Sequence, residues 1–113
     1  MNYQLIAERA HAAGIAAMEA AKPEPMIVKS VETVFYVPEG ACGFAWIRLR
    51  GDNAFGRWAK KVGLARPAYP KGLQIWVSGG GQSVDRKSAY AFAYAESLRA
   101  DGVVGAYADS RLD

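Results

Sequence analysis

Apolar positions recur at helical spacing over Tyr3–Ala21. Ile6, Ala10, Ala13, Ala17 and Ala20 fall on one face, and Gln4, Glu8, His11 and Glu19 on another. Ala, Leu, Met, Glu and Arg are strong helix formers, so this segment reads as a helix whose alanine face packs closely on a sheet. Lys22-Pro23-Glu24-Pro25 ends it, because proline cannot continue a helix and restricts the residue before it. Met26–Val37 has strand chemistry, rich in Val, Ile, Thr, Phe and Tyr. Its alternation slips near Ser30–Glu32, which fits one bent strand or two short ones. Pro38-Glu39-Gly40 is a turn signal, and the tight connection suggests antiparallel pairing with the next strand, Gly43–Arg50. There Ala45, Ile47 and Leu49 share one face, while Phe44, Trp46, Arg48 and Arg50 share the other.

Gly51-Asp52-Asn53 caps a short helix, Ala54–Val62, which stops at Gly63. Phe55, Trp58, Ala59 and Val62 form its docking stripe, and Arg57, Lys60 and Lys61 lie away from it. Leu64–Gly72, with two prolines, reads as an exposed loop or edge hairpin. Leu73–Asp109 then holds the clearest start and stop signals. It runs as strand Leu73–Ser78, glycine loop Gly79–Gln82, helix Ser83–Asp101, stop Gly102 and strand Val103–Ala108. Residues 89–95 alternate large and small as a strand does. The alanine content, the Ser83 cap, Asp85 in the first turn and Gly102 at the end favour a helix. Val84, Ala91, Ala95 and Leu98 form its buried stripe, with Arg86, Lys87, Tyr90 and Tyr94 to one side. If its flanking strands are parallel within one sheet, the crossover is right-handed. Ser110–Asp113 reads as a frayed polar end.

These elements make one α+β domain over residues 1–113, with an N-terminal helix at 1–21 and a proline linker at 22–25. The expected sheet is small and mixed or mainly antiparallel, with helices packed on it, in the order α-β-β-α-β-α-β. A chain of 113 residues buries about two-thirds of its unfolded surface without disulfide or metal staples. The single cysteine, Cys42, fits a reducing compartment and reads as a buried structural thiol. No apolar run reaches the ~20 residues of a membrane span, and charges interrupt the N-terminus as they would not in a signal peptide. A cytoplasmic protein with no membrane association is the expectation.

Charge changes the picture more than composition does. Residues Phe44–Lys87 carry a net charge of +7, against +3 for the whole chain, so acidic ends flank a basic middle. That asymmetry points to an anionic partner, although a plain solvated surface accounts for it as well. There is no Cys/His cluster, no Walker motif, no serine elbow and no paired-carboxylate motif in the basic region. The expectation is a non-catalytic module with no cofactor or metal. His11 reads as a surface histidine beside Glu8. The loop Gly79, Gly80 and Gly81, with Arg86 and Lys87 one turn into the helix, has the topology of a phosphate site but matches no phosphate-loop pattern. The stronger candidate is aromatic and basic. If the aliphatic faces point inward, Trp46, Arg48, Arg50, Gln74 and Trp76 form a platform for stacking bases and holding phosphates. Arg57, Lys60, Lys61, Arg86 and Lys87 extend its charge. The competing reading is that a helix covers this face and makes both tryptophans core.

The stretches Cys42-Gly43-Phe44-Ala45-Trp46, Gln74-Ile75-Trp76-Val77, Gln82-Ser83 with Arg86–Tyr90, and Ala106–Asp113 resemble parts of small uncharacterised bacteriophage and prophage proteins. The resemblance spans roughly Val34–Asp113. It implies a phage-derived or bacterial cytoplasmic setting and assigns no residue a role. The functional expectation is a module binding nucleic acid through a basic, aromatic surface. The alternative is a protein-interaction or inhibitor module on an acidic partner, and an enzyme acting on a phosphorylated small molecule comes third.

Overall fold

The computed structural model of the protein describes residues 2–23, 25–29, 34–37 and 40–113, with 26–29 and 34–37 described by backbone only. It is an α+β fold with three helices and a four-stranded antiparallel sheet among the described residues. Helix α1 is Tyr3–Ala20, capped by the Asn2 side chain, which accepts from Leu5 N–H. Strands β1 (Met26–Lys29) and β2 (Val34–Val37) follow, then β3 (Gly43–Leu49) and α2 (Ala54–Lys61). The short β4 (Arg66–Pro67), β5 (Leu73–Trp76), α3 (Val84–Ala100) and β6 (Tyr107–Leu112) complete the chain.

The main sheet has the order β4-β5-β3-β6. Both β5 and β6 run antiparallel to β3, so they are parallel to each other with β3 between them. The strand–helix–strand unit expected over Leu73–Asp109 is therefore split around β3. All three helices lie on one side. The core joins Ala45, Ile47, Leu49, Leu73, Ile75 and Val77 of the sheet to Ile6 and Ala10 of α1, Phe55 and Ala59 of α2, and Ala91, Ala95 and Leu98 of α3. Burying a side chain such as Leu98 contributes roughly 1.5–3 kcal/mol. In α3 the start and stop signals hold. The Ser83 side chain accepts from Arg86 N–H. At the other end Val103 N–H reaches Leu98 O and Gly102 N–H reaches Arg99 O, a closure needing the positive φ of Gly102.

Four expectations change. Met26–Lys29 and Val34–Val37 do not pair with β3; they are two short strands paired with each other as a separate sheet. Residues 30–33 and the turn at 38–39 lie outside the described residues. The last strand is not Val103–Ala108 but Tyr107–Leu112, so the supposed frayed end is in the sheet, in register with Gly43–Arg48. Backbone pairing to β3 prevails there over weak local strand propensity. In α1 the buried residues are Ile6, Ala10 and Gly14, so the face turns away from Ala17 and Ala20. Gly14 meets the Tyr90 ring, and α1 packs along α3, where Arg9 and Asp101 form an ion pair at 2.9 Å. In α2, Val62 is exposed rather than docked.

Candidate nucleic-acid interface

Alternation in β3 buries Ala45, Ile47 and Leu49 beneath the helices and turns Phe44, Trp46 and Arg48 to the opposite face. Cross-strand register completes that face. Trp76 and Asp109 flank Trp46, while Gln74 and Tyr107 flank Arg48, with Arg66 beyond Gln74 and Arg111 opposite Phe44. Neither tryptophan belongs to the buried core cluster, so the reading in which both are core does not hold. Trp76 is 43% exposed and Trp46 half-buried. Their ring centroids are 5.0 Å apart, and Phe44 stands edge-on to Trp76 at 6.0 Å. Arg111 Cζ lies 5.4 Å from the Phe44 ring centroid. Trp46 Nε1 is buried with no hydrogen-bond acceptor, the one such side-chain atom among the described residues. Burying an unpaired donor costs free energy, about 1–3 kcal/mol.

The face continues into a basic track. A cavity of about 540 Å³ is lined by Arg48, Arg50, Lys71 and Tyr107 with Gly51, Gly72 and Gly105. Next to it, and sharing Gly51 and Gly72, is a cavity of about 520 Å³ lined by Arg57, Lys60 and Lys61. The Asn53 cap sets the position of α2 and so of these three cations, since its side chain accepts from Gly56 N–H at 2.8 Å. Two arginines of the track are partly engaged. Arg50 forms a paired contact with Asp52 at 3.0 and 2.8 Å, and Arg57 donates to Asp52 O at 2.8 Å. The Arg50 hydrogen bond holds the Asp52 carboxyl below its ordinary range, and the same bond raises Arg50.

The other proposed cations are not part of this surface. Lys87 is only 7% exposed; its Nζ donates to Gly43 O at 3.1 Å and lies 5.3 Å from the Phe44 ring centroid. It closes the open end of β3, where β5 has already stopped, and is a structural cation. Arg86 turns back to α1, donating to Met18 O at 3.2 Å and Ala21 O at 3.5 Å. Tyr90 and Tyr94, grouped with them by spacing, are buried between α3 and α1. The Gly79–Gly81 loop is likewise occupied. An added Cβ at Gly80 would lie 3.1 Å from Met18 Sδ, and one at Gly79 would lie 3.2 Å from Met18 Cε. Three N–H groups at the start of α3 are in use: Ser83 N–H bonds Gly80 O, Val84 N–H bonds Ala41 O, and Arg86 N–H bonds Ser83 Oγ. Glycine serves here for backbone conformation and for contact with Met18.

Cys42 differs from expectation, whereas His11 is exposed as expected but gains a partner outside its own helix. Cys42 is exposed rather than buried, held in a bridge to Ser83 at the mouth of β3. His11 is not simply beside Glu8; its Nδ1 shares a 2.5 Å hydrogen bond with Tyr90 Oη. The pair borders a cleft of about 790 Å³ between α1, α2 and the free edge of β5. Burial raises the Tyr90 phenol, and burial followed by the neighbouring Tyr90 raises Tyr94 further, so neither supplies a phenolate at neutral pH. Nothing in the local sequence marks the His11–Tyr90 contact, because the residues are 79 positions apart. Arg111 and Asp109 escaped the sequence reading because their strand was ended four residues early; the alternation Ala108, Ser110, Leu112 was the available signal. Among the described residues no group of three or more His, Cys, Asp or Glu side chains is placed to hold a metal ion, and no helix is long and apolar enough to cross a membrane. Comparison with family models, with curated proteins and with solved structures finds no match.

Proposed function

We propose that this protein is a small binding module that holds single-stranded nucleic acid on the open face of its sheet. The observation that carries the reading is the Trp46–Trp76 pair, with the Trp76 ring exposed, flanked by Arg48, Arg66 and Arg111. Aromatic rings on a sheet face stack bases whatever their sequence, and arginines at the margin take the phosphates. The cavities from Arg48 to Lys61 extend the charge along the path of a backbone leaving the platform. A duplex fits less well, since its stacked bases are not available to a flat aromatic surface.

The test is titration of the chain with short single-stranded oligonucleotides at rising salt, followed by tryptophan fluorescence. Binding quenches the tryptophans, and log K falls linearly with log salt. Arg48→Glu and Arg57→Glu each weaken binding, and the neutral variants Arg48→Ala and Arg57→Ala each lower the salt slope by about 0.7. Absence of any complex with single- or double-stranded nucleic acid at low salt sinks the proposal. Nuclease-resistant capture of an acidic host protein, lost in Arg48→Glu, would instead support the protein-interaction reading.

A further inference from the structure

We propose that two copies of this chain join along the outer edge of β6, antiparallel about a two-fold axis through Ser110, to form one continuous eight-stranded sheet. Among the described residues β6 has β3 on one side only, and all but Ala108 of its residues are exposed. Asp113 N–H donates to Cys42 O, so 107, 109, 111 and 113 turn their backbone groups toward β3. By alternation, Ala108, Ser110 and Leu112 turn theirs to the open edge. An unpaired edge of this length is a template for another strand.

The sequence of the edge fits a second copy and favours a register within β6. A two-fold axis perpendicular to the sheet keeps the helices of both copies on one side and pairs only residues of like face. Centred on Ser110, it sets Asp109 opposite the partner's Arg111 and Arg111 opposite the partner's Asp109. Ala108 then meets the partner's Leu112. Centring on Asp109 would oppose two aspartates, and centring on Arg111 would oppose two arginines. Centring on Ala108 forms no charge pair within the strand. In the Ser110 register, Ser110 forms the hydrogen-bonded pair. The Asp–Arg pairs flanking it are then the close, non-hydrogen-bonded kind, where side chains interact most strongly.

The single chain carries the matching device. Asp109 Oδ1 accepts from Ser110 N–H at 2.9 Å, occupying the central edge donor. In the dimer that N–H bonds the partner's Ser110 carbonyl, and the freed Asp109 carboxylate meets the partner's Arg111. On the helix side, Leu112 is 67% exposed and Phe92 is 60% exposed. Phe92 lies on the flank of α3 shared with Arg99, whose guanidinium donates to Ala106 O at the foot of β6. Pairing shields these apolar groups from water, and it brings two open tryptophan faces onto one surface, whatever that surface binds.

The experiment is sedimentation equilibrium of the full chain over about 1–100 μM, a range in which association shows as concentration dependence. A dimer is expected. Asp109→Arg and Arg111→Asp each place like charges opposite one another twice, and each raises the dimer Kd about tenfold or more. The double variant Asp109→Arg/Arg111→Asp restores the pairs and the dimer, which separates lost pairing from lost folding. Ser110→Pro removes only an edge-facing N–H and gives a folded monomer by circular dichroism. A wild-type chain that stays monomeric overturns the inference, as does a dimer that all of these variants leave intact.

Discussion

Trp46 and Trp76 face each other across β3 and β5 with ring centroids 5.0 Å apart and planes tilted by 36°. The adjacent Val77 N–H to Ala45 O bond makes theirs a non-hydrogen-bonded pair, the type that brings side chains closest. Core alternation of β3 and β5 leaves both rings on the face opposite Ala45, Ile47, Leu49 and Ile75. Trp76→Ala is expected to weaken single-strand binding by about 1–3 kcal/mol, roughly 5- to 150-fold, as loss of one stacking ring does. Thermal stability also falls, by about 1 kcal/mol or more, through lost contact with Trp46 and Phe44. Fluorescence titration beside a melting curve separates the two effects, and unchanged affinity removes Trp76 from the site.

Lys87 behaves oppositely. Lys87→Met keeps the aliphatic stem but leaves the buried Gly43 carbonyl without its donor. The expected cost is about 1–3 kcal/mol of folding stability, read by urea unfolding. The salt slope of nucleic-acid binding stays as in the wild type, because this ammonium faces a carbonyl and a ring rather than solvent. A lower slope would return Lys87 to the binding surface.

Gly14 of α1 sits against the Tyr90 ring of α3. An alanine there gains up to about 1 kcal/mol of helix propensity. Its Cβ, however, would sit 2.6 Å from Tyr90 Cδ2 and Cε2. The ring has little room to give, since its hydroxyl is tied to His11. Net destabilisation of about 1–3 kcal/mol follows from overpacking. A Gly14→Ala variant that melts above the wild type would show that the helices separate freely.

Alkaline pH tests the buried phenols. Tyr94 is 2% exposed, and its ionisation is shifted up by burial and by Tyr90. A group whose folded pKa lies above its unfolded value contributes stability that is whole below the unfolded pKa, about 10 for tyrosine, and is lost as pH rises beyond it. Stability should therefore be flat toward pH 9 and fall above about 10, with Tyr94→Phe flattening the fall. Tyrosinate absorbance against pH, followed with circular dichroism, checks this. All six tyrosines titrating together near 10 in a folded chain would contradict it.

Local chemistry was sufficient for much of the fold. Asn53 and Ser83 cap α2 and α3, Gly102 closes α3, and strict alternation in β3 predicts which face carries Trp46 and Arg48. Each of these depends on interactions within a few residues, or on a period of two or 3.6, and such signals survive in one dimension. The α+β class and the order of elements follow from them.

Tertiary structure alone decided where the helices lie, and hence that Trp76 stays exposed outside the core. A sheet has two faces of potential cover, and the choice is made by which helix stripes meet which strand face, a contact between distant segments. The same holds for the partner of β3. Proximity in sequence favoured Met26–Val37, whereas β5 and β6 took both of its edges. Residues 107–112 are a strand because β3 offers them a register, not because their own composition demands it. Lys87 and Arg86 look like free cations until Gly43 and the end of α1 are brought beside them. What sequence could name as an aromatic and basic surface, only packing could reduce to Trp46, Trp76 and the arginines around them.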